Sequence, residues 1–345
     1  MKRAAIVLAV LAAASACRRT SSDATDAGAA TITGDVARGE YLVKAVAACG
    51  ECHTPRRADG TLDTTMWLAG VPDRFDVEPD DDARGSISTP NLTPHANGLG
   101  TWTDADVRSA IVDGIDHFGA PLYPLMPSYV FHNLAPADAD AIVAYLRSIP
   151  AIDHAIPARQ PLSNPPAAPA EPIADSAIPH SKLKSSDPNR ARAEHGRYLA
   201  AEAGICMDCH TAWRLGASQP LALDRLFAGG RGFSAKEWVV TDKGATPIVF
   251  SYNITPDESG IKGWTPQQVV DLLKTEKDDQ HQPVCRPMPG GPDGSHGGLT
   301  DDDALDIGWY LTTIPAIDSG DIPQCPQFPD VGADGGADSG DASAE

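Results

Sequence analysis

The sequence is poor in basic residues and in aromatic residues. Of its 345 residues, 27 are Lys or Arg and 47 are Asp or Glu, so the formal net charge is −20. This balance argues against a nucleic-acid partner, because binding to phosphates needs a basic surface. Aromatic residues make up only 6% of the chain, so something else must help to fill its interior. At about 100–200 residues per domain, the length predicts two or three domains.

Long apolar runs are also scarce. Residues 4–16 form a run of 13, too short for a membrane-crossing helix, which needs about 20 residues. The run follows Lys2 and Arg3 and ends in small residues, as a secretory signal does. The next residue is Cys17, and the segment before it resembles a bacterial lipoprotein signal. We therefore predict export to the periplasm or cell envelope, with Cys17 lipidated as a membrane anchor. An ordinary secretory signal followed by an incidental cysteine is the alternative.

The chain contains an internal repeat. The sequence Cys49-Gly-Glu-Cys-His53 recurs as Cys206-Met-Asp-Cys-His210, an offset of 157 residues. Further matches follow in the same order with offsets of 162 to 165, namely Asn91 with Asn253, Trp102 with Trp264, Met126 with Met288, and Tyr145 with Tyr310. Features kept in order at a slowly drifting offset indicate two copies of one domain.

The repeat and the local composition together predict six segments. Proline-rich sequence favours an extended linker, and Gly/Asp/Ala-rich sequence favours disorder. We assign residues 1–16 to a signal peptide, 17–35 to a flexible tether, 36–155 to the first domain, 156–188 to a Pro-rich linker, 189–322 to the second domain and 323–345 to an acidic disordered tail.

The duplicated C-x-x-C-H motif carries the chemistry. Cysteines at i and i+3 lie on one side of a helical turn, so both sulfurs can reach the two vinyl groups of one haem. The next residue, a histidine, can then bind the iron from the proximal side. A thioredoxin-like redox pair or half of a zinc site would not explain a histidine after both pairs. The motif therefore predicts two covalently attached haem c groups, held by Cys49, Cys52, His53, Cys206, Cys209 and His210.

Methionine is scarce enough for the sixth iron ligand to be chosen by elimination. Met1 leaves with the signal, Met207 lies inside the second motif, and Met66 has no counterpart in the second copy. Met126 and Met288 remain, one per copy at equivalent positions and each followed by proline. We therefore predict one His/Met-ligated iron in each copy.

Histidines near these methionines leave bis-histidine ligation open as an alternative. None of the four lies at equivalent repeat positions: His117, His132, His281 and His296. With both axial positions filled, the iron has no open site for a substrate, so the ligand set favours electron transfer over catalysis. A dihaem peroxidase and a haem-based sensor remain the competing functions.

The local pattern predicts helices and no convincing strand, so the expected fold class is all-α. Apolar spacing predicts helices over residues 40–48 and 137–148. Capping boxes are expected at Thr265–Gln268, with proline at the first helical position, and at Thr300–Asp303.

Four segments of the first copy resemble the cytochrome c family: Thr89–Pro94, Trp102–Thr103, Leu122–Pro127 and Ala144–Pro150. More narrowly, they are similar to multihaem cytochrome subunits of periplasmic alcohol, aldehyde and gluconate dehydrogenases. The resemblance covers roughly residues 37–317. It implies a cytochrome c fold in both domains, and His53 with Met126 and His210 with Met288 as axial ligands. It also implies redox partners such as a dehydrogenase, an oxidase or a quinone-linked complex.

Cys285 and Cys325 are not used by the motifs. An exposed thiol rarely persists in an oxidising compartment, so we predict a disulfide between them. Two separate thiols, or a link between chains, are the alternatives. Separately, Asn91, Asn253, Trp102 and Trp264 are candidates for hydrogen bonds to haem propionates, with packing and turn formation as the competing interpretation.

The duplicated motif makes the haem content testable. Alkaline pyridine spectra of the mature chain should give two haem c groups per polypeptide, because each C-x-x-C-H motif attaches one. Any other stoichiometry would contradict the two-site interpretation.

Overall fold

The computed structural model describes residues 32–57, 59–76, 85–157, 166–214, 216–234 and 248–323. The predicted signal peptide, Cys17 and Cys325 lie outside these ranges. Within them the chain forms nine α-helices and two small antiparallel sheets. Over the same ranges, no helix combines the length and the apolar character needed to cross a bilayer.

The elements that the two halves share occur in the same order, and the first half has in addition a π-helical turn and the short helix Ser128–Phe131. The first half contains α1 Val36–Tyr41, a π-helical turn Leu42–Val46, α2 Cys49–His53, β1 Val71–Asp76, β2 Ser86–Thr89, α3 Asp104–Val112, α4 Ser128–Phe131 and α5 Pro136–Ser148. The second half contains α6 Arg190–Ala201, α7 Cys206–Cys209, β3 Gly232–Ser234, β4 Ile248–Phe250, α8 Pro266–Thr275 and α9 Asp301–Leu311.

The expectation of a helical fold is confirmed, but the two sheets were not predicted. β1 pairs antiparallel with β2, and β3 pairs antiparallel with β4. Both pairs are short, and β1 contains Pro72 and Asp73, residues that are rare in strands. Its register also shifts between Val71 and Phe75, so no regular alternation of side chains is visible in the sequence.

Each half is built around a close crossing of its first and last helices. α1 packs on α5, and α6 packs on α9. A Cβ atom on Gly39 would lie 1.9 Å from the carbonyl oxygen of Ala141, and one on Gly196 would lie 1.9 Å from that of Asp306. Only glycine therefore allows the helices to approach this closely, and it does so at equivalent positions of the two halves.

The predicted helices form with shifted boundaries. The helix expected over 40–48 begins at Val36, where the Asp35 side chain accepts two backbone N–H bonds, and it becomes a π-helical turn from Leu42. The helix expected over 137–148 is α5, and it buries Ile142, Val143, Tyr145 and Leu146. It begins one residue earlier than expected, with Pro136 at its start.

One predicted capping box is complete and the other is half formed. Thr265 and Gln268 cap each other reciprocally at the start of α8, with Pro266 at the first helical position. At the start of α9, Thr300 accepts from the backbone N–H of Asp303. The Asp303 carboxylate does not complete the box and instead accepts a bond from the Tyr41 hydroxyl at 2.5 Å. A tertiary contact has replaced the reciprocal cap.

The contact between Tyr41 and Asp303 has a counterpart made by residues at the equivalent repeat positions, Tyr198 and Asp138. Tyr198 donates to Asp138 at 2.6 Å, as Tyr41 donates to Asp303. Each tyrosine hydroxyl also accepts a backbone N–H from the start of the opposite last helix, since Thr300 donates to Tyr41 and Ala135 donates to Tyr198. The first helix of each half is therefore fastened to the last helix of the other half.

The described part of the predicted linker packs on both halves. Ile173 and Ile178 are each 1% exposed. The backbone N–H of Ile173 donates to the Tyr129 carbonyl, and that of Lys182 donates to the Thr313 carbonyl. The described residues belong to one compact unit, so the predicted boundary between two domains remains a prediction.

The glycine crossings predict a large loss of stability on substitution. Gly39→Ala and Gly196→Ala should each lower the free energy of unfolding by about 3 kcal/mol, because the new methyl group overlaps a backbone oxygen. Urea unfolding of the haem-loaded chain measures this loss. Glu40→Ala, at an exposed neighbouring position in α1, is the matched control and should change it by less than about 0.5 kcal/mol. Equal effects at positions 39 and 40 would contradict the crossing argument.

Candidate haem-attachment sites

The two C-x-x-C-H motifs form short helical turns. Cys49 and Cys52 lie on α2, and Cys206 and Cys209 lie on α7. None of these four cysteines is in a disulfide bond. Burial raises the pKa of the Cys49 and Cys206 thiols to about 12, so both side chains are protonated at neutral pH. Each turn therefore presents two reduced sulfurs on one side of a helix, as covalent haem attachment requires.

Both motif histidines have the same hydrogen-bonded arrangement. Nδ1 of His53 lies 3.0 Å from the Pro90 carbonyl oxygen, and Nδ1 of His210 lies 2.7 Å from the Tyr252 carbonyl oxygen. Because a carbonyl can only accept, Nδ1 carries the proton and Nε2 keeps its lone pair. Burial lowers the pKa of His53 to about 4 and also lowers the pKa of His210, so both rings are neutral at pH 7. A neutral imidazole oriented through Nδ1 fits an axial iron ligand.

The residue after each histidine ties the motif to the next turn of chain. The Thr54 hydroxyl accepts from the Leu68 backbone N–H at 2.9 Å, and the Thr211 hydroxyl accepts from the Phe227 backbone N–H at 3.0 Å. Both threonines are fully buried. The carbonyl of His53 also accepts a bond from the Gly70 N–H, as that of His210 does from Gly229. Each histidine is thus held from its ring and from its backbone.

The asparagine candidates are occupied by protein groups. The Asn91 amide donates to the carbonyls of Ile152 at 2.9 Å and His154 at 3.2 Å, and its oxygen accepts from the Thr93 N–H. Asn253 makes the equivalent bonds in the second half, to the Ile317 carbonyl and from the Thr255 N–H. Both side chains are 1% exposed. This geometry favours the turn-forming role over a bond to a propionate.

The predicted methionine ligands lie at the edge of the apolar core. Met126 precedes α4, and Met288 lies between α8 and α9. Both are partly buried and pack against the same apolar cluster as Cys49 and Cys206. Met207 is fully buried inside the second motif.

Among the histidines near the methionines, His296 has the environment best suited to a metal ligand. It is 3% exposed, and its Nδ1 lies 2.9 Å from the Ala45 carbonyl oxygen, so Nε2 is the free nitrogen. Burial is the largest cause of the lowered pKa of His210, and the hydrogen bond to the Tyr252 carbonyl opposes it. The nearby His296 ring lowers the pKa of His210 further. His132 also bonds a carbonyl, that of Val112, while His117 stacks on Trp102 with ring centroids 4.3 Å apart. His281 is exposed.

Two acidic residues inside the motifs were not singled out from the sequence. Glu51 and Asp208 occupy the same motif position and are 5% and 4% exposed. Glu51 pairs with Arg56, and Asp208 pairs with Arg231. Arg231 is itself buried, and burial opposes its charge, but Asp208 holds the pKa of the guanidinium above its usual value. The recurrence of an acidic residue at an offset of 157 was the signal that could have identified this pair.

The second half also contains the predicted disulfide position. Cys285 is disulfide-bonded. Its predicted partner, Cys325, lies outside the described residues, so the pairing of Cys285 with Cys325 remains a prediction.

Comparison with known proteins finds a family match in the first half and relatives that match most of the chain. Residues 36–150 match the cytochrome c family. The chain is 28% identical over 296 residues to the cytochrome c subunit of a quinone alcohol dehydrogenase from Gluconacetobacter polyoxogenes, a match covering 82% of this chain and 56% of that subunit. The predicted resemblance to cytochrome c and its dehydrogenase subunits is thereby confirmed.

Two further relatives match shorter segments. A diheme cytochrome c-type protein of Cereibacter sphaeroides is 35% identical over 130 residues, covering 35% of this chain and 39% of that protein. The fructose dehydrogenase cytochrome subunit of Gluconobacter japonicus is 36% identical over 117 residues, covering 33% and 22%. The chain spans about half the length of the alcohol dehydrogenase subunits it matches. The family and the donor groups of the motifs both support haem c as the cofactor.

The role of the buried asparagines is testable by their effect on stability. Asn91→Ala should lower the free energy of unfolding by about 2–3 kcal/mol, because it leaves buried carbonyl and N–H groups without partners. Asn97→Ala, which removes an exposed amide bonded to Asp153, is the matched control and should cost less than about 1 kcal/mol. A shift in a haem midpoint potential without loss of stability in Asn91→Ala would instead favour a propionate contact.

Proposed function

We propose that this chain is an exported electron-transfer cytochrome with two covalently attached haem c groups, one in each half. The observation that carries the proposal is the duplicated motif turn, in which a neutral histidine is oriented by a backbone carbonyl. His53 with Met126 and His210 with Met288 are the proposed axial pairs. Each half would thereby hold one iron with both axial positions filled.

The protein groups suit electron transfer better than catalysis. When bound, haem c supplies a one-electron iron couple. Cys49, Cys52, Cys206 and Cys209 would hold the two macrocycles as thioethers. The histidines and methionines would close both faces of each iron, which leaves no position for a peroxide or another substrate. We therefore assign the chain an electron-carrying role and do not propose an enzyme activity of its own.

The proposed electron donor is a periplasmic dehydrogenase, and the acceptor is an oxidase or quinone-linked complex of the respiratory chain. The support is that relatives are named as cytochrome subunits of alcohol, fructose and gluconate dehydrogenases. The net charge of −20 favours partners with a basic docking surface. We also propose that Cys17 is lipidated and anchors the chain to a membrane of the cell envelope.

The ligand assignment is tested by removing one thioether at a time. Met126→Ala and Met288→Ala should each abolish about half of the methionine-to-iron charge-transfer absorption of the ferric protein. Each should also lower the midpoint potential of one haem, because methionine raises it relative to more donating ligands. Met66→Ala removes a methionine outside the proposed ligands and is the control. If the methionine-to-iron absorption were unaffected by Met288→Ala and abolished entirely by Met126→Ala, and His296→Ala made one haem high-spin, His296 would replace Met288 as the ligand.

The same holoprotein distinguishes the competing functions. An electron carrier should be low-spin in both redox states and be reduced rapidly by a substrate-reduced dehydrogenase. A high-spin ferric fraction that binds cyanide without delay would favour a dihaem peroxidase. Low-spin haems that exchange electrons slowly with every dehydrogenase and oxidase tested would favour a sensor.

A further inference from the structure

The acidic residue in each motif turn reaches across to the other half of the chain. Glu51 belongs to the first motif, yet its carboxylate accepts bonds from the Ser295 hydroxyl at 2.7 Å and from the Ser295 backbone N–H at 3.2 Å. Ser295 lies seven residues after Met288. We call residues 286–295, which include Met288, the methionine loop of the second half. A buried carboxylate of the first haem-attachment turn is therefore hydrogen-bonded directly to this loop.

The other end of that methionine loop is held by the same part of the first half. Arg56, the ion-pair partner of Glu51, donates to the Gly60 carbonyl at 2.8 Å. Arg286, two residues before Met288, lies 3.4 Å from the same oxygen. These groups and Met288 line one small cavity between the halves. The segment that carries Met288 thus contacts the first half on both sides of the methionine, at the Gly60 carbonyl through Arg286 and at Glu51 through Ser295.

The second motif turn makes the reciprocal contact. The Tyr129 hydroxyl donates to the Asp208 carboxylate, and the Trp213 indole N–H lies 3.3 Å from the same hydroxyl. Tyr129 is 1% exposed and lies three residues after Met126. The helix α4, which begins two residues after Met126, is therefore bonded to the attachment turn of the second half.

These crossed contacts suit control of ligand position. A methionine side chain has three rotatable bonds, so the loop that carries it must be held for its sulfur to stay on an iron. Hydrogen bonds to a buried carboxylate are among the stronger bonds available to a protein. In both cases the attachment turn supplies the accepting carboxylate and the opposite half supplies the donor. The donor is Ser295 for Glu51 and Tyr129 for Asp208.

We propose that Glu51 and Asp208 are positioning residues that act across the two halves. Glu51 holds the loop of Met288, and Asp208 holds the loop of Met126. Methionine ligation of each haem therefore depends on the attachment turn of the other haem. This inference rests on the ligand assignment of the proposed function.

A crossed set of variants of the full haem-loaded chain tests the proposal. In a Met126→Ala background, only Met288 contributes the methionine-to-iron absorption, and added imidazole displaces it with a measurable affinity. Glu51→Gln should raise that imidazole affinity about tenfold, the effect of weakening one buried charged hydrogen bond. In a Met288→Ala background, the same Glu51→Gln change should leave the affinity within about twofold. Asp208→Asn should give the opposite pattern.

Milder variants keep the test valid if a carboxylate substitution prevents haem maturation. Ser295→Ala and Tyr129→Phe each remove one hydroxyl and leave the carboxylates in place. Ser295→Ala should loosen Met288, and Tyr129→Phe should loosen Met126. Tyr145→Phe is the matched control, because the Tyr145 hydroxyl accepts from the Trp67 indole N–H at 3.1 Å within the first half alone.

The possible outcomes separate this proposal from the proposed function. Equal changes in both backgrounds would indicate a general loss of stability and overturn the positioning role, as would no change in either. A Met126→Ala parent that lacks the methionine-to-iron absorption would overturn the Met288 assignment itself, and the positioning role of Glu51 with it. A selective effect on the opposite methionine supports the proposal.

Discussion

The close crossing of the first and last helices in each half is the constraint on which the remaining structure depends. Gly39 and Gly196 let a helix backbone pack directly against a carbonyl oxygen of the partner helix. The crossing brings the start of the last helix within reach of the other half, where Asp303 and Asp138 meet the two tyrosines. The same first helices lead into the motif turns. The same helix crossing therefore positions both the attachment turns and the contact between the halves.

The contact between the halves joins the two candidate haem sites as well as the two cores. The tyrosine contacts hold the helices, while Glu51 and Asp208 extend the connection into the motif turns. Both carboxylates are buried and ion-paired, so removing one partner of either pair would leave a buried group without its counter-charge. Such an arrangement favours a fixed relation between the two candidate haem sites, which suits a protein proposed to pass electrons.

Local sequence was sufficient to predict the groups whose arrangement depends only on their spacing along the chain. The C-x-x-C-H motif specifies two sulfurs and an imidazole on one turn, and the α8 capping box specifies its own hydrogen bonds. The α9 box failed for a reason outside the local sequence, because Tyr41 lies 262 residues from Asp303 and took its carboxylate. The sheets were missed because their strands are short and β1 is irregular.

The sequence by itself was sufficient to predict the resemblance to cytochrome c, haem c as the cofactor and the repeat, since these follow from residue identity at short range and from features kept in order at a slowly drifting offset. Tertiary structure alone decided which groups face each other across the halves. No spacing rule links Glu51 to Ser295 or Tyr129 to Asp208, because these pairs are 244 and 79 residues apart and only the packing of the two halves brings them together. The backbone carbonyls that orient His53 and His210 were likewise invisible in the sequence, because every residue carries such a group and only the fold selects which one is used.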